Sequence, residues 1–173
     1  ITEEVIENKV NTIHKTLVED FNISKPKMAI LGINPHSGDD GLIGSEEKTV
    51  LTPTIQRMRE NNILAFGPYS ADSFFGSGKH ESFDAVIATY HDQGLIPFKT
   101  MSFGQGVNFT AGLEKIRTSP DHGTAYSIAG KGIADETSFK EAIFLAILTY
   151  RNRTEHQELI KGAIKEENLT KTK

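Results

Sequence analysis

Two histidines stand where apolar strands run out. The segment Thr89-Tyr90-His91-Asp92-Gln93-Gly94 closes the run Phe83–Tyr90, and Asn34-Pro35-His36-Ser37-Gly38 follows the run Met28–Ile33. Open α/β sheets bind their ligands beyond the carboxyl ends of the strands. Neutral imidazole is a common ligand for divalent metals, so His36 and His91 could converge on one metal ion or one substrate. Each ring could equally cap its own turn by hydrogen bonding. Two ligands are also fewer than the three protein ligands of a usual catalytic metal site. Asp92 could supply a third, or orient a ring from behind. His14 and His156 read as surface residues of solvated helices, and His80 lies beside a glycine loop.

A second group of residues has the chemistry of an anion pocket. Lys99, Asn108 and Arg117 fall within about twenty residues and offer an ammonium, an amide and a planar guanidinium, a set suited to a phosphate. The plainer alternative is two solvated cations and an asparagine in a turn. Thr118-Ser119-Pro120-Asp121-His122-Gly123-Thr124-Ala125 and Ala129-Gly130-Lys131-Gly132 follow. Their small residues would let a flat or phosphorylated ligand come close to the backbone. No Gly-x-Gly-x-x-Gly follows a strand, since Gly104-Gln105-Gly106 leads into one. An ordinary Rossmann site is therefore not expected.

These residues need elements to hold them. Val5, Ile6, Val10, Ile13, Leu17, Val18 and Phe21 recur at helical spacing and predict an amphipathic helix over 3–21. A strand over 27–33 follows, then a loop over 34–44 containing Pro35, Gly38, Gly41 and Gly44. Ser45-Glu46-Glu47 opens a helical turn, and Thr52-Pro53 reads as an N-cap and first helical residue of a helix to about Glu60. Ile63–Phe66 is a short strand closed by Gly67-Pro68, and Ala71 to His80 reads as a loop. The strand over 83–90 reads as buried, and the apolar segment Leu95–Met101 surrounds Pro97. Val107–Ala111 alternates as a strand, and Ala125–Ala129 forms one helical turn. Asp135-Glu136 heads a helix through Tyr150 with Phe139, Ala142, Ile143, Ala146 and Ile147 as its apolar positions. The tail from about Lys161 is charged and expected to fray. Strands alternating with helices predict an α/β class with a mostly parallel sheet.

At 173 residues the chain fits one domain, 37% hydrophobic and 24% charged. No apolar run approaches the roughly 20 residues of a membrane helix. The start Ile1-Thr2-Glu3-Glu4-Val5 has no signal-peptide pattern and reads as a cut point in a longer protein. With no cysteine, any metal must use His, Asp or Glu, and a reducing cytoplasm is the expected compartment. A net charge of −4 argues against nucleic acid as a main partner.

Read together, the loops resemble one family. Asn34-Pro35-His36-Ser37-Gly38, Gly44-Ser45-Glu46-Glu47, Gly67-Pro68 with Ala71-Asp72, Tyr90-His91-Asp92-Gln93-Gly94, Gly104-Gln105-Gly106-Val107-Asn108 and Arg117–Ala125 occur in this order. The set is similar to the C-terminal half of the 4-hydroxythreonine-4-phosphate dehydrogenases of pyridoxal 5′-phosphate (vitamin B6) biosynthesis, over roughly residues 27–148. The His-Gly-Thr-Ala and Ala-Gly-Lys-Gly-Ile-Ala stretches also resemble the coenzyme loop of isocitrate and isopropylmalate dehydrogenases.

The resemblance implies their three-layer fold, a mostly parallel sheet with helices on both faces. It implies oxidation of 4-phosphohydroxy-L-threonine by NAD (or NADP) and decarboxylation to 3-amino-2-oxopropyl phosphate. It further implies a cytoplasmic homodimer whose shared active site holds a divalent metal (Zn, Mg, Co, Mn or Ni) on three histidines. His36 and His91 match two of them, and Lys99, Asn108 and Arg117 match substrate-binding residues. Asp121, His122 and Gly123 would lie near the nucleotide, with Asp72 and Asp92 near the metal or its ligands. On this reading residues 1–173 are the C-terminal portion of a two-domain enzyme, with a core over 27–148 and a helical tail over 149–173. The family's N-terminal half, with the first metal histidine, is absent, so the fragment alone should not turn over. A paralogous dehydrogenase of another 4-phosphorylated four-carbon acid, of threonate or erythronate type, would carry the same loops. So would a nucleotide- and phosphate-binding module without chemistry.

Overall fold

The computed structural model describes residues 1–163. Its elements are α1 (Glu3–Glu19), β1 (Met28–Leu31), α2 (Thr52–Glu60), β2 (Ala65–Tyr69), α3 (Ala71–Gly76), β3 (Ala85–Ile87), α4 (His91–Ser102), β4 (Val107–Phe109), β5 (Thr118–Pro120) and α5 (Thr137–Gly162). The strands β2-β1-β3 form a parallel sheet, and β4-β5 form a separate antiparallel pair. Register pairs Met28 with Ala65 and Ala85, and Ala29 with Phe66 and Val86.

All four residues of β1 are fully buried, as expected for the central strand of a sheet covered on both sides. Alternation sends Met28 and Ile30 to one face, where they pack with Ile6, Val10 and Leu17 of α1 and Ile55 and Met58 of α2. Ala29 and Leu31 face the other way, onto Phe74 of α3 with Tyr69, Phe83 and Val86 around it. Helices therefore cover both faces of the parallel sheet. Arg57 of α2 reaches Glu3 and Glu7 of α1 at 3.0 and 2.6 Å, a link between two helices of the first layer.

Several elements differ from their sequence reading. The loop expected over 71–80 contains α3 and a tight turn at Lys79–Ser82. Phe74 anchors α3 to the sheet, a tertiary contact that overrides a local run of serines and glycines. The strand expected over 83–90 is only Ala85–Ile87 and lies at the sheet edge, with just Ile87 buried. The adjacent Tyr90 is 63% exposed. The segment around Pro97 is helical throughout as α4.

Thr52 is not a cap. It has helical angles, and the chain reaches it through a wider π turn at Glu47–Leu51. Proline at 53 has no N–H for the regular ladder, which suits a widened turn at that point. Thr118–Pro120, read as part of a loop, is a strand. The last helix runs past Tyr150 to Gly162. Of the expected frayed tail, Lys161 and Gly162 are helical, and residues 164–173 lie outside the described part.

α5 turns small or polar residues inward. Ser138, Ala142 and Thr149 are buried, and Thr118 of β5 donates to the Ala142 carbonyl at 2.8 Å. Further along, Arg153 forms a two-pronged ion pair with the buried Asp20 just after α1. Its remaining Nη1 donates to the Glu114 carbonyl at 2.9 Å. Asn152 adds a bond to the Asp20 carbonyl at 2.7 Å. These contacts join α5 and the β4–β5 hairpin to the first layer, helped by the edge-to-face pair Phe21–Phe109 at 5.4 Å. The large apolar side chains of α5 point outward: Phe139, Ile143, Phe144, Ile147 and Tyr150 are 44–66% exposed.

Candidate active site

Parallel pairing of β1 with β3 sends the His36 loop and the His91 turn out of the same end of the sheet. His91 is the first residue of α4. Its Nδ1 lies 2.8 Å from Asp92 Oδ1. A carboxylate at Nδ1 sets the tautomer and leaves Nε2 free for a ligand, with the ring 73% exposed. Asp92 therefore stands behind the ring.

His36 lies in a tight turn, Pro35–Gly41, where His36, Ser37, Gly38, Asp39 and Asp40 all have positive φ, between 43° and 84°. Left-handed backbone costs roughly 1–2 kcal/mol for each ordinary L-residue, so something outside the turn must hold it. The holder is Glu47, a carboxylate only 3% exposed. Its Oε1 accepts from the Ile33 and Asn34 backbone N–H groups at 2.8 and 2.7 Å, and its Oε2 accepts from the Asn34 amide at 2.9 Å. Burial pushes this carboxyl up, but the hydrogen bonds from Asn34 and Ile33 together outweigh it and hold Glu47 below the usual glutamate range. Gly38 packs against the same carboxylate: a Cβ there would sit 2.7 Å from Glu47 Oε2.

Asp72, in the first turn of α3, bonds to the Ser70 hydroxyl at 2.6 Å. That bond, the Ser73 backbone N–H and the charge of nearby His36 hold its carboxyl below the usual aspartate range. Among the described residues, no three His, Cys, Asp or Glu side chains form a metal-binding group. The donor set at this end is thus two accessible imidazoles, one backed by a carboxylate. Neutral imidazole is a donor of the kind that divalent cations of borderline softness take.

Asn108 and Arg117 belong to the β4–β5 hairpin. Asn108 pairs with Ser119 and Phe109 with Thr118. Period-two alternation therefore puts Asn108, Thr110, Arg117 and Ser119 on one face. Phe109 and Thr118 take the other, against Phe21 and α5. Arg117 Nη1 donates to the Thr110 hydroxyl at 2.8 Å, and both Asn108 and Arg117 are exposed.

Lys99 is exposed in the last turn of α4, eight residues from His91, or about 12 Å along the helix at 1.5 Å per residue. Phe98 beside it packs on Gly106, where a Cβ would lie 2.6 Å from the ring. Only glycine lets α4 approach the hairpin there. Asp121 is half-buried, its N–H donating to the Ser138 hydroxyl at 3.0 Å. Ser138 in turn donates to the Gly106 carbonyl at 2.9 Å. His122 and Gly123 are exposed, with His122 Nδ1 3.0 Å from the Gly123 carbonyl.

The structure thus groups His36, His91, Asp72 and Asp92 at one sheet end, and Asn108 with Arg117 on one hairpin face. Lys99 stands on the helix that joins the two groups. Glu47, Gln93 and Ser138 were not singled out by residue type. Glu47 and Gln93 stood in the sequence only as members of the Gly44–Glu47 and Tyr90–Gly94 stretches, with no contact to the histidine segments assigned to either.

The family of pyridoxal phosphate biosynthetic protein PdxA matches residues 1–146. The chain belongs to this family. A PdxA-family relative, the 4-hydroxythreonine-4-phosphate dehydrogenase of Bacteroides thetaiotaomicron, is 52% identical over 88% of this chain and 42% of its own length. Another from Sulfurihydrogenibium sp. is 52% identical over 88% of this chain and 47% of its own. The chain therefore spans less than half the length of these relatives. A solved 4-hydroxythreonine-4-phosphate dehydrogenase from Klebsiella pneumoniae superposes with a TM-score of 0.71 at 37% identity, covering 88% of this chain and 45% of that one. A terephthalate 1,2-cis-dihydrodiol dehydrogenase from Burkholderia xenovorans is also similar, with a TM-score of 0.67 at 28% identity over 86% of this chain and 47% of that one. Among the described residues no helix is long and apolar enough to cross a membrane.

Proposed function

We propose that the chain supplies one half of the active site of a 4-hydroxythreonine-4-phosphate dehydrogenase. The full reaction would oxidise the secondary alcohol of 4-phosphohydroxy-L-threonine with NAD or NADP. Loss of the carboxyl as CO₂ would then leave 3-amino-2-oxopropyl phosphate. The observation that carries this reading is the pair of imidazoles, His36 and His91, delivered by adjacent parallel strands to one end of the sheet. The family's names for its enzymes supply the substrate, and the isocitrate- and isopropylmalate-dehydrogenase-like fold is part of the same proposal.

His36 and His91 would hold a divalent cation (Zn, Mn, Co, Ni or Mg) through their free ring nitrogens, with a further ligand from outside this chain. Asp92 would keep the His91 ring turned, and Asp72 would add negative charge near His36. Lys99, Asn108 and Arg117 would bind the substrate's anionic groups, the guanidinium offering paired donors to a phosphate. Asp121, His122 and Gly123 would border the nucleotide. With both groups bound, the cation would supply Lewis-acid stabilisation of the charge developing on the substrate oxygen, and the nicotinamide would accept the hydride. The site would be shared in a homodimer, with the outward apolar stripe of α5 as part of the contact surface.

The test uses the full-length protein with phosphohydroxythreonine, NAD and a divalent metal. NADH formation that is lost in His91→Ala and in Arg117→Ala is the expected result. Turnover unaffected by His91→Ala would overturn the assignment. Parallel assays with threonate and erythronate 4-phosphates separate the paralogous reading, which the terephthalate-diol enzyme's likeness makes worth testing. The 173-residue chain alone should produce no NADH.

A further inference from the structure

The open end of the β4–β5 hairpin is spread by a side chain from α5. The Thr110 N–H bonds to the Arg117 carbonyl at 3.0 Å, and the register runs back through Phe109–Thr118, Asn108–Ser119 and Val107–Pro120. Bonded and unbonded pairs alternate along an antiparallel ladder. Since Thr110–Arg117 is bonded, Asn108–Ser119 is the next bonded position and Gly106–Asp121 the one after. Pro120 agrees with this count, because it falls at an unbonded position and has no N–H to give. At Gly106–Asp121 a hydroxyl stands where the ladder bond would be. The Asp121 N–H donates to the Ser138 hydroxyl at 3.0 Å, and that hydroxyl donates to the Gly106 carbonyl at 2.9 Å. Two bonds in series replace one, so the strands part here by the width of a hydroxyl.

We infer that Ser138 is a positioning residue that holds the hairpin end open and so sets where the Asp121–Gly123 loop leaves β5. This rests on the reading of Asp121, His122 and Gly123 as bordering the nucleotide. Ser138 is 6% exposed, and both of its bonds go to backbone, so it acts through the segments it holds. The junction is tight on its other side as well. A Cβ on Gly106 would meet the Phe98 ring at 2.6 Å and the Asp121 Cβ at 3.2 Å. Asn108 is two residues from Gly106 and His122 is next to Asp121, so one hydroxyl fixes the spacing between the substrate face of the hairpin and the nucleotide loop. Without it, the Asp121 N–H and the Gly106 carbonyl either lose their partner or close on each other and extend the ladder by one pair. Both outcomes move the loop or free it, and a freed loop must be ordered again when the ligand binds.

The experiment titrates the full-length protein with NAD by calorimetry, alongside thermal unfolding and steady-state kinetics. Ser138→Ala should weaken NAD binding by about tenfold and raise the KM for NAD in step, while kcat at saturating NAD stays within about twofold. Ser138→Cys is close in size and bonds weakly through its thiol, so it should show a smaller loss of the same kind. If the alanine variant does not fold, the cysteine variant decides. Thr118→Val is the structural comparator, removing a bond from the hairpin to α5 without touching the hairpin end. A folded Ser138 variant that keeps the wild-type Kd for NAD overturns the assignment. So does Thr118→Val, if it weakens NAD as much for the same fall in thermal midpoint, because the effect is then general loosening. Gly123→Val tests the underlying reading separately, since an added Cβ there meets nothing within 4 Å in the chain. If NAD binds this variant as it binds wild type, the nucleotide reading fails and the role of Ser138 fails with it.

Discussion

At Glu47 a buried charge is tolerated because all of its work is local. Two backbone N–H groups and one side-chain amide converge on it, which offsets the desolvation of the carboxylate. Its folded pKa lies below the usual glutamate value. The stability it contributes is therefore complete above about pH 4.3, the ordinary glutamate pKa, and is lost as pH falls through the lower folded value. Urea unfolding at about pH 6 and about pH 3 should show wild type and Glu47→Gln converging at the acid end, with wild type losing more. The Asp20–Arg153 ion pair engages another buried carboxylate and holds α5 to the end of α1. Arg153→Ala would strand the Asp20 carboxylate, which is 2% exposed. An unfolding free energy lower by about 3–5 kcal/mol is expected from denaturant titration.

Elements here are set by where neighbours leave room. The His36 turn and α3 make the contrast testable through two glycines. Gly38 has φ +84° and faces Glu47 Oε2 and the Gly44 carbonyl at 2.7 Å from an added Cβ, whereas Gly76 closes α3 with nothing within 4 Å. Gly38→Ala should lower the thermal midpoint and destabilise by about 2 kcal/mol or more, from left-handed strain and overpacking together. Gly76→Ala should leave stability unchanged or raise it by up to about 1 kcal/mol. On the hairpin, Arg117 lies on the solvent face and its truncation should change stability by less than about 0.5 kcal/mol. The same change should weaken binding of phosphohydroxythreonine to the full-length protein, measured by calorimetry. A large stability loss instead would make Arg117 a structural residue.

At the scale of the molecule, the core lies around β1 between α1 with α2 on one face and α3 on the other, while α4 and the outer side of α5 are exposed. α4 has no buried residue. Leu95, Ile96 and Met101 on it are 36–63% exposed, alongside the Phe139–Ile147 stripe of α5. Apolar area on this scale is what an interface with another chain or domain would cover. Under the homodimer proposal, sedimentation should give twice the 19.1 kDa of one chain. The pair Ile143→Asp and Ile147→Asp should return the monomer mass without unfolding it, because both side chains already face outward.

Residue order by itself determined the family, the parallel α/β character and the end of the sheet at which to search. β1 is an unbroken apolar run, α1 repeats at helical spacing, and the loops that follow strands carry histidines, amides and cations in a distinctive order. Those features are local, so they are readable along the chain. Tertiary packing alone decided the rest. Phe74 meeting the sheet made a helix of a serine- and glycine-rich stretch, and Thr118 meeting α5 made a strand of a loop. The inward face of α5 went to Ser138, Ala142 and Thr149, while its phenylalanines turned outward. The same holds for Glu47 and Gln93. Their bonds to Gly32, Ile33 and Asn34 span 13 to 61 residues of sequence, and no local pattern records which backbone group a buried polar side chain will find.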